Sequence, residues 1–216
     1  MPGIVDLCNA ALSHCGTRSK IAALDEGSPE ANACRTHFDL MRDMTLRAFD
    51  WNFARLTAAL AQLENPPQRW AYKYALPTDC LRLRRLNDVP LLRLPETFYE
   101  VAADRDGSGA IVGVILTDAP AVSAIYTAQV TDTGRWDAGF ADAMTYGLAA
   151  RLCFELTGKD DRARTLTQMW QGLLQRAGAD MANEGSALNR AYVPQSLAVR
   201  GYDSGLDDGC RPHWER

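Results

Sequence analysis

Apolar positions along this 216-residue chain recur first at helical spacing, then at strand spacing, then at helical spacing again. Ile4, Cys8, Leu12 and Cys15 share one face of a first helix over residues 4–15, and Gly16 offers the left-handed conformation that stops it. A second helix starts at Ser28 as N-cap, with Pro29 in the first helical position and Glu30 in the first turn, and runs to about Phe49. Its stripe is Phe38, Met41, Thr45 and Ala48. An aromatic hinge at Trp51 and Phe53 leads into two extended segments, 52–63 and 69–76, parted by the turn Asn65-Pro-Pro-Gln. Trp70, Tyr72 and Tyr74 alternate as on a half-buried strand, which ends at Leu76-Pro77.

From 82 to 130 the period is two. Short strands are expected at 82–86, 91–94, 98–102, 110–116 and 121–130, the last two β-branched enough to form a hairpin. A third helix over about 137–156 carries Phe140, Met144, Leu148 and Leu152, with a small stripe at Ala141, Thr145 and Ala149. A fourth over about 160–182 carries Leu166, Met169, Trp170, Leu173 and Ala177. After Gly185 the pattern dissolves, leaving scattered anchors among glycines and prolines. The expected fold is α+β, mainly α: a four-helix bundle interrupted by a small antiparallel β insertion, with an extended C-terminal arm. Residues 1–81 and 131–185 are the halves of the bundle, 82–130 the insertion and 186–216 the arm.

Composition narrows the function classes. At 47% hydrophobic the chain can bury a substantial core. A net charge of −4 argues against a broad basic face for gripping nucleic acid, though not against a protein that surrounds DNA. No apolar run spans a bilayer, and Met1-Pro-Gly-Ile is not a signal sequence. The six cysteines form no C-x-x-C pair and are expected as free thiols in a reducing cytosol.

Candidate chemistry is sparse. Asp39 and Asp43 lie one turn apart, but acids at that spacing usually pair with neighbours such as Arg35, Arg42 or Arg47. His14, His37 and His213 are too scattered for a zinc site. Asp104-x-Asp106-Gly107 lacks the remaining ligands of a calcium loop and reads as a turn. Gly107-x-Gly109-x-x-x-Gly113 misses the dinucleotide spacing. Trp51, Trp70, Tyr72 and Tyr74, interleaved with Arg55, Arg69 and Lys73, offer base stacking, but packing is the commoner use of such aromatics. These residues predict no catalytic residue, no cofactor and no metal, and so an assembly or binding role.

One ordered set of motifs carries a resemblance. Val5-Asp-Leu-Cys-Asn-Ala-Ala-Leu12 is followed by Ile21-Ala-Ala-Leu-Asp-Glu-Gly-Ser28, Arg42-Asp43, Trp51-Asn-Phe-Ala54, Tyr72-Lys-Tyr74 and Leu76-Pro-Thr-Asp-Cys-Leu-Arg82. Over residues 4–86, with a weaker echo at 149–158, the chain resembles the head-to-tail adaptors of short-tailed bacteriophages, also called tail tubular protein A or tail accessory factor. The resemblance implies a virion neck protein made in the host cytoplasm. It would form a homo-oligomeric ring, a dodecamer, beneath the portal protein, join it to the tail nozzle protein, and continue a channel through which double-stranded DNA passes without specific binding. The helices would form the ring body, the insertion would project toward the tail, and the arm would order on the portal through Tyr192, Tyr202 and Trp214. Two alternatives stand beside it: a cell-wall hydrolase carried in the virion, using carboxylates such as Asp39 or Glu64, and a small nucleic-acid-binding module.

Overall fold

Local chemistry sets the helix ends. In the computed structural model, which describes residues 2–87, 89–90, 98–105 and 107–184 (side chains at 89, 90 and 182–184 excepted), α1 spans Ile4–Cys15 and stops at Gly16, whose φ is 80°. α2 spans Pro29–Ala48, and Ser28 Oγ accepts from the Ala31 amide at 3.2 Å. α3 spans Ala138–Thr157, opened by the Asp137 carboxylate on the Gly139 and Phe140 amides and closed by Gly158 at φ 62°. α4 spans Asp160–Glu184, with Asp160 and Asp161 in the turn where the helix dipole favours acids. Residues 1–182 form one compact unit; of the second, 183–216, only the last two positions of α4 are described. The expected arm therefore lies outside the described residues, as does the expected strand at 91–94.

The helical layer is built around α3. Its buried residues include Phe140, Ala143, Met144, Gly147, Leu148, Ala149, Leu152 and Cys153, which leaves no single apolar stripe. A helix apolar nearly all round is one that neighbours enclose. α1 and α2 pack on it, and α4 runs back antiparallel: Gly139 faces Ala177, and Gly147 faces Trp170. At one end of α3, Phe140 is enclosed by aromatic rings: Trp136 at 4.9 Å, Trp51 at 5.1 Å and Phe53 at 5.1 Å, all edge to face. The two indoles donate to backbone carbonyls, Trp51 to Thr45 and Trp136 to Val130, so their burial leaves no polar atom unmatched.

The strands overturn the expected fold class. This is an α+β protein with two antiparallel sheets, not a helix bundle with a small insertion. Strands β1 (Arg55–Ala59), β8 (Ser123–Ala128), β4 (Cys80–Leu86) and β5 (Val89–Pro90) lie in that order in one sheet. The other has β2 (Gln62–Leu63), β3 (Tyr72–Ala75), β7 (Ile111–Thr117) and β6 (Tyr99–Arg105). Segments before residue 82 thus pair with segments after residue 110, so the β layer draws on chain assigned above to the bundle. The expected hairpin of the last two strands is also absent, because β7 pairs with β3 and β6 while β8 pairs with β1 and β4.

The physical reason lies in the link between them. Ala121 has φ 58°, its amide donates to Tyr74 Oη at 2.9 Å, and that hydroxyl donates to Ala119 O at 3.2 Å. The chain is turned out of the second sheet and into the first. Tyr74 and Ile115 then pack against Leu86, Val122 and Ala124, so a small core lies between the two sheets. β7 buries Val114, Ile115 and Leu116 in succession and so has both faces covered.

Arginines join the helices to the sheets. Arg84 on β4 donates to Thr127 Oγ1 at 2.7 Å and to the terminal carbonyls of α2 at Leu46, Arg47 and Phe49. Arg82, two residues away across an irregularity in the strand register, donates to Arg47 O at 3.0 Å, and Arg47 donates back to Leu81 O. Carbonyls that the helix end leaves unpaired are met by cations, as the dipole favours.

Candidate functional site

The structure separates the candidates singled out in the sequence. Asp39 and Asp43 both pair with Arg42, at 2.7 and 2.8 Å, and Gln129 donates to the second Asp43 oxygen. Arg42 is itself buried, so the two carboxylates satisfy a buried cation, as expected for helix-borne acids. His14 stacks on Tyr146 with ring centroids 4.3 Å apart, whereas His37 meets Glu155 at 2.6 Å. His213 lies outside the described residues. Asp104 pairs with the buried Lys73 at 2.7 Å, and that hydrogen bond holds its carboxyl below the usual range. Asp106 lies outside the described residues. No cluster of three metal-ligating side chains occurs among those described.

The aromatic set is committed to packing. Trp51, Trp70 and Tyr74 are buried, Trp70 donates to Glu100 at 3.2 Å, and the Arg69 guanidinium lies 5.3 Å above the Trp70 ring. Glu64 is exposed near the turn after β2, and neither it nor Asp39 lines the clefts beside α4. Tyr192, Tyr202 and Trp214 lie outside the described residues.

Three of the five described cysteines, Cys8, Cys15 and Cys80, are poor nucleophiles, whereas the hydrogen bond with Cys8 lowers the pKa of the buried Cys34. Cys8, Cys15, Cys34 and Cys153 are buried, and all five described cysteines are free thiols. The hydrogen bond with Cys34, and then burial, push the Cys8 thiol far up. Burial, followed by the neighbouring Cys153, raises Cys15 to about 12, and burial beside Asp79 raises Cys80 to about 11. Thiolate is the reactive form, so all three are inert near neutrality.

Concavity is found on either side of α4. One cleft, of about 850 Å³, lies toward α1 and is lined by His14, Tyr146, Lys159, Asp161, Leu166 and Met169. The other, of about 620 Å³, lies toward α2 and is lined by His37, Met41, Met44, Arg151, Phe154 and Trp170. Both fall in the size range of ligand and side-chain receptacles. The second holds one enclosed, unmatched donor among the described residues, beside the solvent-exposed Arg151. Trp170 Nε1 is enclosed without a hydrogen-bond partner, and Arg151 Nη2 has the Met44 sulfur at 3.5 Å.

The sequence reading missed this cleft. It placed Met169 and Leu173 on the packing seam of α4, but Met169 is 48% exposed and Leu173 half-buried; Leu166 and Ala177 are the buried ones. A usable signal was Phe154, an aromatic two residues off the Phe140–Leu152 stripe. No family model and no curated protein matches the chain.

Proposed function

We propose that this chain is a structural virion protein, a head-to-tail adaptor that assembles as a ring beneath the portal, joins it to the tail and continues the DNA channel. The observation that carries the proposal is the use made of the ordered motif set. Arg42 and Asp43 close a buried ion network, Trp51 and Phe53 enclose Phe140, and Tyr74 steers the chain between sheets. Residues 76–82 lead into β4, whose arginines bind the end of α2. Motifs that recur in order yet serve only packing suit a protein whose product is a shaped surface. What remains available for function is concave surface with apolar walls, whose acids are the adjacent Asp160 and Asp161 in one cleft and the His37-bound Glu155 in the other. The net charge of −4 suits a conduit, because a strongly basic wall would hold DNA in place.

The test is co-sedimentation of the full chain with the portal ring encoded beside it, alongside a chain truncated after Gly185. Capture of the full chain is expected, with loss on truncation and on triple alanine substitution of Tyr192, Tyr202 and Trp214. Failure of the full chain to bind would overturn the adaptor proposal. Capture of all forms alike would remove the role given to the arm.

A further inference from the structure

Four buried thiols lie in one apolar core: Cys8 and Cys15 on α1, Cys34 on α2 and Cys153 on α3, each no more than 1% exposed. Two of them are engaged with oxygen. Cys15 Sγ donates to Ala149 O at 3.1 Å, and Cys153 Sγ lies 3.4 Å from Thr157 Oγ1. Cys8 and Cys34 hydrogen-bond to each other, sulfur to sulfur, from two different helices. The surrounding backbone sets this approach. Asn9, next to Cys8, accepts from the Ile21 amide at 2.8 Å and donates to Ile21 O at 2.9 Å, so the link 16–28 is folded back onto α1. The Glu26 carboxylate then accepts from the Ala22 and Ala23 amides and the Ser28 hydroxyl, and Ser28 caps α2. These bonds hold the second turn of α2, with Cys34, beside the second turn of α1, with Cys8.

We propose that Cys8 and Cys34 are a modification site, a thiol pair that hydrogen peroxide oxidises to an intrachain disulfide joining α1 to α2. The Cys8 S–H donates to the Cys34 sulfur, which favours the Cys34 thiolate against the effect of burial and makes Cys34 the attacking group. That thiolate attacks one peroxide oxygen. The O–O bond breaks, leaving a sulfenic acid on Cys34 and a hydroxide that takes up the proton Cys34 released. The Cys8 sulfur then attacks the Cys34 sulfur: the S–S bond forms, the S–O bond breaks, and the hydroxyl leaves as water with the Cys8 proton. Two thiols and one peroxide give one disulfide and two waters, each sulfur losing one electron. Cys8 is in place before the sulfenic acid forms, so capture precedes further oxidation to sulfinic acid. Access comes through local opening of the link 16–28, in which only Ile21 is buried. This chemistry belongs to the helical body and is independent of the adaptor role.

The experiment treats the reduced full chain with hydrogen peroxide under native conditions, caps remaining thiols with N-ethylmaleimide after denaturation, and maps unreduced peptides of the monomeric fraction by mass spectrometry. The expected product links the peptides carrying Cys8 and Cys34, with loss of two hydrogens. Its thermal midpoint should lie about 5 °C or more above that of the reduced chain, until dithiothreitol restores the original value. Cys8→Ala should divert Cys34 to a sulfenic acid that dimedone traps, whereas Cys34→Ala should leave Cys8 a thiol. Cys8 and Cys34 both remaining thiols, a Cys15–Cys153 link in their place, or linkage only after urea unfolds the chain would each overturn the proposal. The first readout needs no substitution, so it decides the matter even where a variant fails to fold.

Discussion

Replacing Arg84 by methionine tests whether a single guanidinium joins the helical layer to the sheets. The substitution keeps the length of the side chain and removes its donors. Four acceptors lose a partner: Thr127 Oγ1 and the carbonyls of Leu46, Arg47 and Phe49. Arg47 O keeps its bond from Arg82. Hydrogen bonds to a charged group contribute about 1.5–3 kcal/mol each, but burial offsets part of this, since it depresses the Arg84 pKa to about 10. The buried Thr127 hydroxyl, left unmatched, costs about 1–3 kcal/mol, and loss of the cation at the α2 carboxyl end about 0.3–1 kcal/mol. Together these give a loss of about 3–5 kcal/mol, read from urea unfolding followed by circular dichroism. Arg82→Met, which forfeits a bond that Arg84 duplicates, should lose about 1 kcal/mol. Adding Thr127→Val to Arg84→Met removes the orphaned hydroxyl and should recover about 1 kcal/mol or more. A loss below about 1 kcal/mol for Arg84→Met, or no recovery in the double variant, would refute the reasoning.

The glycines of α4 separate conformational cost from close approach. Gly172 has open space where a Cβ would go, so Gly172→Ala should raise stability by about 1 kcal/mol in the same assay; at Gly178 a Cβ would meet the Phe49 ring at 2.7 Å, so Gly178→Ala should show no gain or a loss. Cys15, Cys80 and Tyr126 all have folded pKa values raised above their ordinary ones, to about 12, 11 and 12. The unfolded chain therefore releases these protons first, and stability is full below about pH 9 and falls as pH rises toward 12. Cys80→Ala with Tyr126→Phe should flatten that decline, and an unchanged alkaline curve would contradict the assignment. In a Cys210→Ser background, Ellman's reagent should modify Cys80 fastest and the other four thiols no faster than the protein unfolds; equal rates for all five would refute their burial.

What was legible in the sequence was local. The ends of α1 and α2 follow from Gly16, Ser28 and Pro29, each of which acts through its own backbone or the next turn. The strands β4, β6, β7 and β8 fall close to the expected segments for the same reason, since alternation is a property of the segment itself. Their partners were not legible. Nothing within residues 111–128 says that β7 and β8 part company, because the residue that turns the chain between them, Tyr74, sits more than forty positions upstream. Arg84 was equally silent: nothing near it in the sequence says that a helix end lies against its strand. The stripe assigned to α3 was correct yet incomplete, since burial on several sides dilutes the very periodicity by which a helix is recognised.

The candidate site escaped for a related reason. Patterning marks where a chain buries itself, whereas a docking surface is marked by residues that fail to be buried. Close contact of α4 with the body is set at Gly139, Gly147 and Gly178, where the absent Cβ lets Ala177, Trp170 and Phe49 come near. Those approaches leave hollows on both flanks of the helix rather than a filled layer. Cations at element junctions are engaged: Arg42 by two carboxylates, Lys73 by Asp104, Arg55 by Asp50, and Arg84 by carbonyls. The Trp170 indole differs, for its N–H is enclosed and meets no acceptor among the described residues. One enclosed donor left without an acceptor costs about 1–3 kcal/mol, a local weakness of the seam between α3 and α4.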